Sequence, residues 1–133
     1  ALPILKKVVA FVDDELELHD LVKVLLSDHI DSNGYELQTF EDGSKLLEYT
    51  NSDISPSLLL VLSDINMPEM DGLSMLEKLK EEHPEIDVVM QTAYGNNSYK
   101  QRAKELGESG FLEKPIDFEA VKVMIDKKIR MMA

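Results

Sequence analysis

The run Leu58-Leu59-Leu60-Val61-Leu62 constrains this chain more than any other stretch. A strand sends successive side chains to opposite faces, so a strand that is apolar at every position must be covered on both. A parallel sheet with helices above and below meets that condition. Four other short apolar runs accompany it: Val8 to Val12, Tyr35 to Phe40, Asp87 to Met90 and Gly110 to Leu112. The run from Tyr35 to Phe40 alternates and reads as an edge strand.

Helical patterns fill the gaps. Leu18, Leu21, Val22, Leu25 and Leu26 form one apolar stripe. Leu73, Leu76 and Leu79 form a second, and Phe118, Val121, Ile125 and Ile129 form the last. Tyr99, Ala103 and Leu106 make a weaker stripe closed by Gly107, and Gly43 to Tyr49 is a short helix candidate. Strand and helix alternate five times, with units long enough for helical crossovers between parallel strands. The expected architecture is a doubly wound α/β sheet. Asn51 to Pro56 is the most loop-like segment, and no repeat or linker interrupts the chain.

The 133 residues suit a single domain spanning 1–133, and the start at Ala1 leaves room for a longer parent protein. The net charge of −12 argues against direct contact with nucleic acid or anionic lipid. With no cysteine, disulfide scaffolds, thiolate metal sites and cysteine nucleophiles are excluded. No apolar run approaches the roughly 20 residues a membrane helix needs, and no secretory leader is expected. A cytoplasmic location fits this composition.

In open α/β sheets the site lies where strands end at their carboxyl edge. After the first run come Asp13, Asp14 and Glu15, where a nucleotide-binding unit would place glycines. Carboxylates repel phosphate unless a cation stands between them, and they suit a hard divalent ion such as Mg²⁺. Either aspartate could equally cap the following helix, or do both. The third run ends at Ser63-Asp64, the fourth at Gln91-Thr92 and the fifth at Glu113-Lys114-Pro115. Singly these read as an ordinary turn residue, strand-end hydroxyl and surface charge. Together they would bring acids, a hydroxyl and a cation to one edge, a set able to hold a divalent metal and a phosphoryl group at once.

Four segments carry a family resemblance. Phe11-Val12-Asp13-Asp14-Glu15, Asp64-Ile65-Asn66-Met67-Pro68-Glu69-Met70-Asp71-Gly72, Thr92-Ala93 and Lys114-Pro115 resemble the receiver domains of two-component response regulators over nearly the whole chain. The resemblance implies a flavodoxin-like, five-stranded parallel sheet in the order 2-1-3-4-5 with five helices. It implies Asp64 as phosphoacceptor, and Mg²⁺ (or Mn²⁺) held by Asp13, Asp14, Asp64 and the Asn66 backbone carbonyl. Thr92 matches the switch hydroxyl, Lys114 the phosphoryl-pairing cation and Phe111 the switch aromatic. The Lys114-Pro115 bond is expected to be cis. Asn66 and Tyr94 occupy positions that influence phosphoryl lifetime. The implied partners are a sensor histidine kinase or phosphotransfer protein and an unidentified downstream effector, with no turnover of an external substrate. Glu108-Ser109 departs from the family pattern, which usually has Ala and a polar residue there.

Three rivals stand beside this reading. A small Mg²⁺-dependent aspartyl-phosphate phosphohydrolase would want an acid where Asn66 stands. A phosphate-independent binding module would have no use for the full set of acids, Thr92 and Lys114. A flavin-binding domain would need a phosphate-cradling loop after the first run.

Three carboxylates at one point should oppose one another, at roughly 3 kcal/mol for each pair about 5 Å apart in an effective dielectric of about 20. At least one acid should therefore have a raised pKa. His19, His29 and His83 have no ligand spacing and read as surface residues. The seven methionines read mostly as core or loop filler, and Glu81-Glu82 and Lys127-Lys128 as solvated helix charges.

Overall fold

The computed structural model describes residues 7–52, 58–65, 72–92, 97–107 and 110–131. Asn66 and Tyr94, the residues from Met67 to Asp71, Ala93, Glu108-Ser109 and most of the loop expected from Asn51 to Pro56 lie outside the described residues.

Strand and helix alternate as β1 (Lys7–Val12), α1 (Leu16–Asn33), β2 (Tyr35–Phe40), α2 (Gly43–Thr50), β3 (Leu58–Asp64), α3 (Gly72–Glu82), β4 (Val88–Thr92), α4 (Asn97–Glu105), β5 (Gly110–Glu113) and α5 (Phe118–Met131). All strand pairs are parallel, in the order β2-β1-β3-β4-β5. The alternating second run is an edge strand, and the wholly apolar third run is interior and buried at every residue.

Side-chain alternation divides the core in two. Val8, Ala10, Val12, Val61, Val88 and Met90 face α2, α3 and α4, where Leu46, Met75, Leu76, Leu79 and Ala103 meet them. Val9, Phe11, Leu62 and Val89 face α1 and α5, where Val22, Leu26, Val121 and Ile125 meet them. A register shift between Val8 and Val9 turns both Leu59 and Leu60 toward the α1/α5 side.

Two helix ends follow from local chemistry. Asp42 caps α2 by accepting from the Lys45 amide (3.0 Å). Gly34 closes α1 at φ 68°, a left-handed position suited to glycine.

The stripe assigned to α1 requires correction. Val22 and Leu26 are buried, but Leu21 and Leu25 are 46% and 40% exposed, and Val24 is 72% exposed. His19 takes a buried place instead, 7% exposed, with its ring edge-on to Phe11. The expectation of a surface His19 is therefore overturned. The physical reason is a backbone partner: Nε2 donates to the Asp13 carbonyl oxygen (2.6 Å), which satisfies a polar ring in an apolar setting.

Candidate functional site

β1 and β3 run side by side; β3 ends in Asp64, and Asp13 follows directly after the last residue of β1. Val12 pairs with Ser63, so the next position on each strand brings Asp13 beside Asp64. Asp13, Asp14 and Asp64 each offer a carboxylate oxygen, and these atoms lie within 4.8 Å of one another. Asp13 and Asp64 are buried and Asp14 is exposed, so the cluster has one wet side.

The two carboxylate oxygens of Asp13 differ, and neither caps α1, whose N-cap is Glu15 without a side-chain bond. Oδ1 accepts from the Glu15 amide (2.9 Å), which leads into α1. Oδ2 is buried without a hydrogen-bond partner, and its nearest cation, Lys114 Nζ, is 3.8 Å away. An anionic oxygen left in that state is costly in a protein interior unless a cation compensates it. Burial pushes the Asp13 carboxyl above its ordinary value; the Glu15 amide opposes this, Asp64 reinforces it, and Lys114 opposes it more weakly. Asp13 is thus an acid of the cluster with a raised pKa, and burial, ahead of repulsion between carboxylates, is the leading cause.

β5 delivers the cation. Lys114 Nζ donates to Asp64 Oδ2 at 3.1 Å. Burial alone would lower the Lys114 pKa, but Asp64, followed by Asp13 and Glu15, holds the ammonium above its ordinary value. The Lys114 amide donates to the Thr92 carbonyl (2.9 Å), which ties the end of β5 to the end of β4. The Lys114-Pro115 peptide is cis, as expected.

Thr92 is buried (1% exposed) one position beyond Gln91, which pairs with Asp64 in register. Phe111 pairs with Met90 and packs, partly buried, against the α2/α3/α4 core. Asp13, Asp14, Asp64, Thr92 and Lys114 thus share one edge of the sheet, with Phe111 behind Thr92 on the α4 side. The positions of Asn66 and Tyr94 are not described.

Three features at this edge escaped the sequence reading. His19 pins the Asp13 backbone. Gly72 sits so close to the end of β3 that an added Cβ would lie 2.3 Å from the Asp64 carbonyl oxygen; the Gly72 amide donates to the Ile65 carbonyl at 2.7 Å. Gln91 is fully buried, and neither atom of its carboxamide has a hydrogen-bond partner. Adjoining the edge, a largely apolar cavity of about 320 Å³ is lined by Phe11, Leu18, Leu21, Leu25, Lys114, Pro115, Ile116 and Phe118.

The donor set fits a divalent cation with oxygen ligands. Three carboxylates converge, and one buried anionic oxygen lacks a hydrogen-bond partner.

A family model described as "Response regulator receiver domain" matches residues 9–126. The chain is 32% identical over 122 residues to the DNA-binding transcriptional regulator NtrC of Escherichia coli K12, covering 92% of this chain and 24% of that protein. It is 31% identical to the transcriptional regulatory protein FixJ of Bradyrhizobium diazoefficiens, covering 90% of this chain and 55% of FixJ. It is 33% identical to the sensor histidine kinase RcsC of Salmonella typhi, covering 92% of this chain and 13% of RcsC. The chain therefore spans about a quarter to a half of the two regulators and a smaller part of the kinase. Among solved structures, the receiver domain of NtrX from Brucella abortus superposes with a TM-score of 0.76 at 33% identity, covering 92% of this chain and 98% of that one. A receiver domain from Clostridium thermocellum shares the fold with a TM-score of 0.80 at 23% identity, covering 95% and 96% of the two chains.

Proposed function

This chain belongs to the response-regulator receiver domain family, and from that premise we propose that it is a Mg²⁺-dependent phosphorylation switch with Asp64 as its acceptor. The observation that carries the assignment is the contact between Lys114 Nζ and Asp64 Oδ2, 3.1 Å long, inside a cluster that also holds the Asp13 and Asp14 carboxylates.

The proposed donor is a phosphohistidine on a sensor histidine kinase or phosphotransfer protein. An Asp64 carboxylate oxygen attacks phosphorus, the P–N bond breaks, and the donor imidazole leaves. Asp13, Asp14 and Asp64 hold Mg²⁺, with the Asn66 carbonyl proposed as a further ligand. When bound, Mg²⁺ supplies the positive charge that lets carboxylates and phosphoryl oxygens share one point. Lys114 moves its donors from the Asp64 carboxylate to the transferred phosphoryl group. Catalysis here is positioning and charge neutralisation. In the return step water attacks phosphorus, the bond between Asp64 and phosphorus breaks, and inorganic phosphate leaves.

The output is a two-state shift. The new phosphoryl oxygens draw the Thr92 hydroxyl, and Phe111 fills the space it leaves, which alters the surface of α4, β5 and α5. An unidentified effector reads that surface. Asn66 and Tyr94 set how long the phosphoryl group survives. Net charge, −12 overall, supports a protein partner rather than nucleic acid for this domain, and no helix among the described residues is long and apolar enough to cross a membrane.

The donor must bring its phosphohistidine to this rim. The apolar cavity on α1 adjoins Lys114 and Pro115, and it carries the exposed Leu21 and Leu25. We place the donor's contact there.

Incubation with acetyl phosphate and Mg²⁺ followed by intact mass measurement tests the assignment. A phosphoryl adduct is expected in the wild type and not in Asp64→Ala. An adduct that persists in Asp64→Ala would place the acceptor elsewhere, and no adduct in either protein would favour the phosphate-independent module.

A further inference from the structure

On the α1/α5 face, the row of the sheet formed by Phe11, Leu62 and Val89 is apolar. The next row toward the carboxyl edge is polar. It runs from Asp13 to Asp64 and then to Gln91, which pairs with Asp64 in register. Beyond Gln91 the row ends at Leu112 of β5, two residues before Lys114. Gln91 therefore shares a row and a face with the two buried acids of the site.

Its condition is unusual. Gln91 is 0% exposed, and both its Nε2 and Oε1 lack a hydrogen-bond partner. A carboxamide buried without partners is destabilising, and an apolar side chain of similar size would fill the same space without that cost. Neighbouring parallel strands lie about 4.8 Å apart, so a glutamine and an aspartate paired in register on one face are within side-chain reach.

We propose that Gln91 is a further residue of the phosphorylation site, whose Nε2–H donates to the acyl oxygen of phosphorylated Asp64. The inference rests on Asp64 being the acceptor. In the resting state Lys114 satisfies Asp64 Oδ2. When Lys114 turns to the phosphoryl group it leaves the Asp64 carboxylate, and Gln91 holds an unpartnered donor in the adjacent position. During hydrolysis the bond between Asp64 and phosphorus breaks and its electron pair returns to the carboxylate. A donor on that carboxylate stabilises the leaving group and shortens the phosphoryl lifetime.

The test compares wild type with Gln91→Met, which keeps an unbranched side chain of similar length but removes the donor. Both are phosphorylated with acetyl phosphate and Mg²⁺, freed of donor, and followed by intact mass. Loss of the phosphoryl group should be about three- to tenfold slower in Gln91→Met, from loss of one hydrogen bond in the transition state. Independently of any variant, the side-chain amide ¹⁵N–¹H resonances of Gln91 in the wild type should shift downfield in proton on phosphorylation. Equal lifetimes in the two proteins, with only a higher melting temperature in Gln91→Met, would reduce Gln91 to a packing residue and overturn the proposal; unmoved amide resonances would do the same. A wild type that forms no adduct would instead defeat the reading of Asp64 as acceptor.

Discussion

Lys114 lies fifty positions after Asp64 in the chain, yet its ammonium stands 3.1 Å from the Asp64 carboxylate. It is also the nearest cation to Asp13, at 3.8 Å. Lys114→Met removes this counter-charge and keeps an apolar stem. We expect the rate of adduct formation from acetyl phosphate to fall by about 10²-fold, the usual effect of removing one electrostatic stabiliser. Time-resolved intact mass measures it, and a rate within twofold of wild type would assign Lys114 a passive role.

Asp13 carries the cost of assembling the site. Its carboxyl is held above the ordinary value, chiefly by burial. The charged form is thus disfavoured in the fold, and its penalty grows as pH rises from the unfolded pKa through the folded one. At neutral pH without metal, Asp13→Asn should stabilise the domain by about 1–3 kcal/mol, seen as a higher melting temperature. Mg²⁺ should raise the wild-type melting temperature, by about 2.7 kcal/mol of added stability at a hundredfold excess over Kd, and have far less effect on Asp13→Asn. Identical Mg²⁺ responses would argue against Asp13 as a ligand.

The exposed leucines of α1 separate donor recognition from chemistry. Leu25 is 40% exposed and lines the apolar cavity beside Lys114 and Pro115. Leu25→Lys should leave phosphorylation by acetyl phosphate within about twofold and slow transfer from a cognate phosphohistidine protein by tenfold or more, on the scale of losing one interface anchor. Equal loss with both donors would mean that the substitution disturbs the site itself.

A second polar network, remote from the acids, gives the fold a pH limit. Tyr35 donates to His29 Nδ1 (2.8 Å), and His29 Nε2 donates to Asp126 Oδ1 (2.8 Å), joining β2, α1 and α5. Burial, with help from Asp126, raises the Tyr35 pKa to about 12. The unfolded chain ionises this phenol near the ordinary tyrosine value of 10.0, so the stability it provides is complete below that pH and is lost as pH rises toward 12. The loss should reach about 3 kcal/mol. Urea titrations between pH 9 and pH 12 should show a steeper decline for wild type than for Tyr35→Phe, in which Lys114, also raised, still titrates. Parallel curves would remove Tyr35 as the cause.

The sheet and its site were legible to different depths. Leu58 to Leu62 required cover on both faces because strand geometry leaves an apolar strand no wet side. The aspartates, Thr92 and Lys114 stood out because strand ends of an α/β sheet meet at one edge whatever their separation in sequence.

Sequence alone therefore determined the order of elements, the edge at which the site forms and the residue types gathered there, since those depend on period and polarity. Tertiary structure alone decided which acid bears the strain, that His19 is buried, that Gly72 must lack a Cβ and that Gln91 has no partner. Each of these depends on what a neighbouring strand or helix places within a few ångströms. Burial, desolvation and close contact arise from packing between segments, and no local pattern encodes them.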